Sequence, residues 1–276
     1  MISRSFRLLF GLGLLPVAAP SDLPATGSPV TYATPSSPLL DDARRGLLED
    51  ALARIAADSE RWAYTETSLA NDTKGKSKGE KVVRYDPSQP YDEQYTLLKI
   101  DGQPPTADQI AHYRHTQDKR RREREERERQ GRPGHSLGEL VDLTHAMVVT
   151  EDAAKITFEV PLRAPGNLRF PPEKFRVLAR LDKARHALEN VAVQLREPWR
   201  TAVVVKIKSG ELNVDFTTVD PKLAPLLTGV QADGAGSILF IPIGGSFDLR
   251  RTDIQRVKPY RERLDVKIGP LKVLDF

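Results

Sequence analysis

His112 and His115 lie three apart, close enough to share one face of a helix. A zincin-type site needs two histidines four apart with a glutamate between them, and this spacing lacks that form. His135, His145 and His186 are scattered along the chain, so no metal site is expected. Gly244-Gly245-Ser246-Phe247-Asp248 sets a serine after glycine, as a nucleophile elbow does. The second glycine of that motif is missing, and the stretch falls between strand patterns rather than before a helix. A tight β connection is the better reading. Gly234 and Gly236 also precede a strand pattern, which does not make a phosphate cradle. The acid pairs Asp41-Asp42 and Glu151-Asp152 fall at a helix start and a turn, where carboxylates hold backbone N–H groups. These patterns imply no catalytic residue and no cofactor, and the reading is of a non-enzymatic protein.

The elements that would position any site begin with an N-terminal address. Arg4 and Arg7 form a positive head, Leu8 to Val17 is apolar, and Ala18 and Ala19 are small. This reads as a signal peptide over residues 1–25, too short for a membrane span of about 20 apolar residues. Cleavage is expected after Ala19 or, because Pro20 is a poor residue after a cut, after Ala25. The expected location is periplasmic, with the chain N-terminally anchored if the signal is not removed. There is no cysteine, so neither a disulfide nor a thioether-linked lipid is available. Residues 26–38, rich in Pro, Ser, Thr and Gly, read as a flexible linker.

Residues 39–276 read as a single domain. Leu40, Ala43, Leu47, Leu48, Ala51, Leu52 and Ile55 recur at helical spacing, with Ser37 and Pro38 at the expected cap and first turn. From Arg61 the period becomes two, and strands are expected at Trp62 to Thr67, Glu80 to Tyr85 and Gln94 to Ile100. Thr106-Ala-Asp-Gln109 has capping-box form and opens a charged helical arm at about 106–130. A short helix is expected at Ser136 to Leu143. Beyond it, alternation around Ile156-Phe158-Val160, Phe175-Val177-Ala179, Val191-Val193-Leu195, Leu212-Val214-Phe216, Ile238 to Ile243, Phe247 to Arg251, Ile254 to Val257 and a last strand ending at Phe276 predicts β structure. Lys208-Ser209-Gly210-Glu211 reads as a hairpin turn. The fold class is α+β: a curved antiparallel half-barrel of about ten to twelve strands with packed or lid helices.

A sheet with one consistently apolar face must bury that face as a core or around a ligand. Trp62, Tyr64, Phe158, Phe175, Phe216 and Phe240 are the candidate ligand-binding residues. Net charge is +4, but Arg4, Arg7 and the seven bases against four acids in Lys119 to Arg129 account for the excess, so no nucleic-acid partner is expected. The arm reads first as a solvated helix, with Glu123 and Arg127 at favourable spacing. Its sharper reading is contact of Arg120, Arg124 and Arg127 with an anionic membrane surface or a partner.

The order of elements resembles the periplasmic lipoprotein-carrier superfamily, the Lol carrier and receptor proteins and their relatives. The resemblance rests on Leu47 to Ile55, Trp62-Ala-Tyr64, Arg180-Leu181-Asp182, and Val203 to Lys208 followed by Ser209-Gly210 and Leu212 to Val219. Arg84-Tyr85-Asp86-Pro87 through Asp101-Gly102-Gln-Pro-Pro-Thr106 looks like a group of uncharacterised exported bacterial proteins. The resemblance implies an apolar cavity that holds acyl chains without catalysis; no functional residue is carried over. The expected function is binding of a lipid, a lipid-modified protein or another apolar ligand. The alternative is a structural or protein-interaction module of the envelope with a solid core. An envelope hydrolase and, from the terminal aromatic Phe276, an outer-membrane barrel are weaker readings; two helices and charged strand faces argue against the barrel.

Overall fold

The computed structural model describes residues 40–57, 61–130, 140–163, 171–201, 205–238 and 241–263, without the side chains of residues 124, 128, 201, 205, 238, 241 and 263. The expected signal peptide and linker, the last strand, and most of the short helix at Ser136 to Leu143 lie outside these residues.

Helix α1 is Asp42–Ala57. Asp41 caps it, its Oδ1 accepting from the Arg44 backbone N–H at 2.8 Å, so the start falls later than Ser37-Pro38 suggests. A meander follows: β1 (Trp62–Asn71), β2 (Ser77–Tyr85) and β3 (Tyr95–Ile100). Helix α2 (Ala107–Arg129) opens on the capping box read from its sequence. Gln109 Oε1 accepts from the Thr106 N–H at 2.8 Å, and Thr106 Oγ1 accepts from the Gln109 N–H at 3.3 Å. A 3-10 turn at Leu143–His145 leads into β4 (Met147–Glu151) and β5 (Lys155–Glu159). Then come β6 (Phe175–Asp182), β7 (Ala187–Leu195), the short β8 (Trp199–Thr201), β9 (Val205–Thr217), β10 (Leu226–Ile238), β11 (Ile241–Arg256) and a last turn of helix, α3 (Tyr260–Arg263).

The eleven strands among the described residues form one open antiparallel sheet, in the order β3-β2-β1-β11-β10-β9-β7-β6-β5-β4, with β8 pairing the first part of β9. The edges are β3 and β4. Two expected turns are absent. Ser209-Gly210 lies inside β9, which runs through it while pairing β10. Gly244-Gly245 lies inside β11, where the expected strands Phe247 to Arg251 and Ile254 to Val257 also merge. In both places cross-strand pairing overrides a local turn preference, and glycine marks a bend in a strand. Gly210, Gly234 and Gly245 stand side by side across β9, β10 and β11.

The alternation seen in sequence sorts the two faces. Leu212, Val214 and Phe216 turn inward on β9, whereas Asn213, Asp215 and Thr217 turn outward. The inner face of β5 to β11 carries the main core, with Ile156, Phe158, Leu181, Leu188, Val214 and Leu249 packed with Leu48, Ala51 and Ile55 of α1. Ion pairs fasten α1 in place. Arg44 donates to Glu151 at 2.8 Å and Lys183 donates to the same carboxylate at 2.7 Å. Arg54 donates to the Arg185 carbonyl at 2.7 Å. On the outer face, the buried Glu159 is held by Arg176 at 2.8 Å and by Arg196.

Residues 140–145 close over the same inner face and are tied by Asp142 to Arg163, in the segment that follows β5. Its carboxylate accepts from Arg163 at 2.8 Å and the Thr144 N–H at 3.1 Å, and meets His145 Nδ1 at 2.8 Å. The Arg163 guanidinium, with His145 beside it, holds the Asp142 carboxyl far below its ordinary value. A depressed folded-state value means the stabilisation is full above about pH 3.9, the unfolded-chain value, and fades as pH falls through the folded one. Asp142→Asn should therefore be less stable than the parent at neutral pH in urea melts. The gap should narrow at about pH 3 and below; an unchanged gap would remove Asp142 from this account.

Candidate functional site

Between the inner face, α1 and residues 140–141 lies a cavity of about 510 Å³. Its walls are mainly aliphatic: Leu48 and Leu52 from α1, Val177 from β6, Val191 and Val193 from β7, and Leu212 from β9. Ala70 of β1 and Leu162, just beyond β5, both line it. Those strands are six spacings apart in the sheet, about 29 Å if it were flat. The sheet must curl for one space to touch both, which is the half-barrel geometry. Gly210, Gly234, Gly236, Gly244 and Gly245 add a stretch of wall with no side chains. Asn71, Lys78, Ser209, Glu211, Asp233 and Ser246 are the polar residues of the lining; each is exposed or half-buried and so marks the wet side of the space.

The aromatic residues singled out in sequence divide among three places. Phe175 and Phe216 line the cavity. Phe158 has no exposed surface and belongs to the solid core. Trp62 and Tyr64 pack with Tyr85 and Leu226 in a second cluster. Phe240 lies outside the described residues. Alternation put Phe158 and Tyr64 on the inner face, but a face is longer than a cavity, and curvature decides which of its residues surround empty space. The aliphatic wall went unnamed as a site, although the repeats Val177-Ala179 and Val191-Val193 are its visible signal.

The second cluster occupies the β1–β3 end of the inner face. Tyr64, Tyr85 and Tyr95 stand opposite one another on three strands, with ring centroids 5.1 and 4.7 Å apart. Arg251 of β11 lies 4.1 Å over the Tyr64 ring, donates from Nε to Glu66 at 3.1 Å, and donates to the Leu227 carbonyl at 3.4 Å. Burial pushes the Tyr64 phenol well above its ordinary value, against the opposing pull of Arg251. Helix α2 reaches this end through Tyr113, whose ring sits 5.7 Å from Lys81 Nζ and whose phenol burial also raises. Packed tyrosines and a matched ion pair fill this end as solid structure.

One side of α2, with Ile110, Thr116, Gln117, Asp118 and Arg121, is half-buried, and the other faces solvent. Arg120 and Arg127 are exposed, Arg127 donating from Nε to the Glu123 carbonyl at 3.0 Å; the Arg124 side chain lies outside the described residues. His112 and His115 are both exposed on this helix. His186 comes within 3.9 Å of Asp50. Among the described residues no three His, Asp or Glu side chains converge as a metal site, and no helix is long and apolar enough to cross a membrane. What the cavity can do chemically is exclude water from an apolar guest. Comparison of the chain with family models, with curated proteins and with solved structures gives no match.

Proposed function

We propose that this is an exported, non-enzymatic binding protein that shelters an acyl chain or another apolar ligand between the inner face of its sheet and α1. The observation that carries the reading is the aliphatic cavity of about 510 Å³, a volume within the range of about 300–1,000 Å³ typical of small-molecule sites. Transfer of a hydrocarbon chain into it would be driven by about 0.8 kcal/mol per buried CH₂. Such binding needs shape and apolar walls rather than particular polar side chains, in keeping with a site that has no catalytic signature. The likeness to lipoprotein carriers fits this reading, as do the signal-like residues 1–25 and a periplasmic location. Arg120 and Arg127 on the exposed arm would bring the protein to an anionic membrane surface or to the partner that delivers the lipid. The rival reading, an envelope interaction module with a solid core, is disfavoured by the cavity. Native mass spectrometry of gently purified protein should show a mass surplus that organic solvent releases as lipid. A bare polypeptide mass, with no uptake of added fatty acid, would reject the proposal.

A further inference from the structure

One side of the cavity carries a charge whose placement follows from an irregularity in the sheet. In the β1–β2 pairing Ala70 stands opposite Gly79 and Asn71 opposite Ser77, so Lys78 is the extra residue of a bulge. Gly79 beside it takes a φ of +123°, a conformation suited to glycine. The bulge gives Lys78 no cross-strand partner and sets it in the cavity lining. Glu80 lies two residues on, and Asp72, whose carboxylate feels the Lys78 charge without a hydrogen bond to it, accepts the backbone N–H groups of Lys74 and Lys76 at 2.8 and 2.9 Å. Lys78 makes no ion pair among the described residues. Two acidic residues also border the space, Glu211 and Asp233, which face each other across β9 and β10. They alternate with the inward Leu212 and Ala232, so their carboxylates turn to the outer face. Among the described residues that line the space, Lys78 is the one cation, set at the wet side of the aliphatic walls.

We propose that the ligand is an amphiphile with an anionic head, carboxylate or phosphate, held at Lys78 while its hydrocarbon chain fills the cavity. This rests on the cavity-binding reading above and adds the sign of the head group. An exposed lysine contributes modestly, through one charge-assisted hydrogen bond in high dielectric, so it selects among ligands while the chain supplies the affinity. The preference should also weaken as salt screens the pair.

Calorimetric titration of the purified protein with decanoate, decyl phosphate, decan-1-ol and decylammonium tests both layers separately. Both anions should bind about fivefold more tightly than the alcohol at low salt, with decylammonium weakest. A preference for decanoate over decyl phosphate would point to fatty acids, and the reverse to phospholipid-type heads. In Lys78→Met the anions should fall to the level of the alcohol, whose own affinity stays unchanged. Lys78→Glu should reverse the order in favour of decylammonium. Equal binding of all four ligands would overturn the head-group assignment while leaving the apolar cavity standing, whereas no binding by any of them would overturn both.

Discussion

Gly244→Val should leave little folded protein. At this position φ is +131°, and a Cβ would lie 2.0 Å from the Gly234 carbonyl oxygen. At Gly245 φ is +134°, and a Cβ would lie 2.0 Å from the Asn71 carbonyl oxygen. Both obstacles are backbone of the neighbouring strands β10 and β1, so relief would require pulling β11 away from one partner or the other. Strained backbone alone costs on the order of 1–3 kcal/mol, and the collision adds to it. Even the alanine variants should lose about 4 kcal/mol, a drop in Tm of about 8–16 °C for a domain of this size. Gly46 in α1 supplies the contrast, since nothing lies within 4 Å of its would-be Cβ. Gly46→Ala should stabilise by about 0.5–1 kcal/mol through helix propensity. Thermal melts of the three alanine variants check this ordering; a mild effect at 244 and 245 would mean that β11 can bend there without glycine.

Under the proposed function, Ala232→Phe and Val193→Phe should weaken ligand binding on the order of 100-fold while the protein stays folded. Ala232 sits on β10 opposite Leu212 and Phe247, and Val193 on β7 opposite Leu212; all four line the cavity. A phenyl ring added to empty apolar space gains burial, in contrast to the strain of about 1–3 kcal/mol it brings to a packed core. The ring would occupy the volume of about four methylene groups of a guest. At about 0.8 kcal/mol each, their loss is about 3 kcal/mol, on the order of 100-fold in affinity. Phe158→Ala should do the opposite. It removes a side chain of the solid core, costing about 3–5 kcal/mol, without narrowing the cavity. Parallel melts and fatty-acid titrations would show the two effects crossing over. If the phenylalanine variants bind as the parent does, the ligand lies elsewhere.

The periodic parts of this fold could be read from the chain, and the irregular parts could not. The capping box at Thr106 and the two-residue alternation of β6 and β7 appear in the structure as expected, because each depends on contacts between near neighbours in sequence. The turn expected at Ser209-Gly210 failed because β9 runs through it paired with β10, Ser209 opposite Ala235 and Gly210 opposite Gly234. Strand β4 was missed because Met147-Val148-Val149 is a short apolar run without alternation, and its pairing with β5 supplies what the sequence lacks. The cavity was legible only as an apolar face. Its place depends on how sharply the sheet curls, and the curl comes from glycines and bulges whose meaning depends on the strands beside them. Lys78 carries no mark in the sequence; only the β1–β2 register shows it as an extra residue, and only the curl of the sheet sets it beside an apolar space.

The pairing of β1 with β11 joins Trp62 to Arg256, the first to the last strand among the described residues. For a chain made from its N-terminus, this fixes an order of assembly. The β1–β3 meander can form early from local contacts, yet one side of β1 has no partner until β11 exists. Closing a loop of that length adds little free energy beyond a shorter one, but it makes folding slow and concentrates the delay in the final step. Until then the tyrosine-rich inner face of the meander and the unpaired edge of β1 remain sticky surfaces, the kind that holding chaperones recognise. Loss of the residues after about position 240 would strand the meander altogether, so β11 is the keystone of the fold rather than a trailing edge.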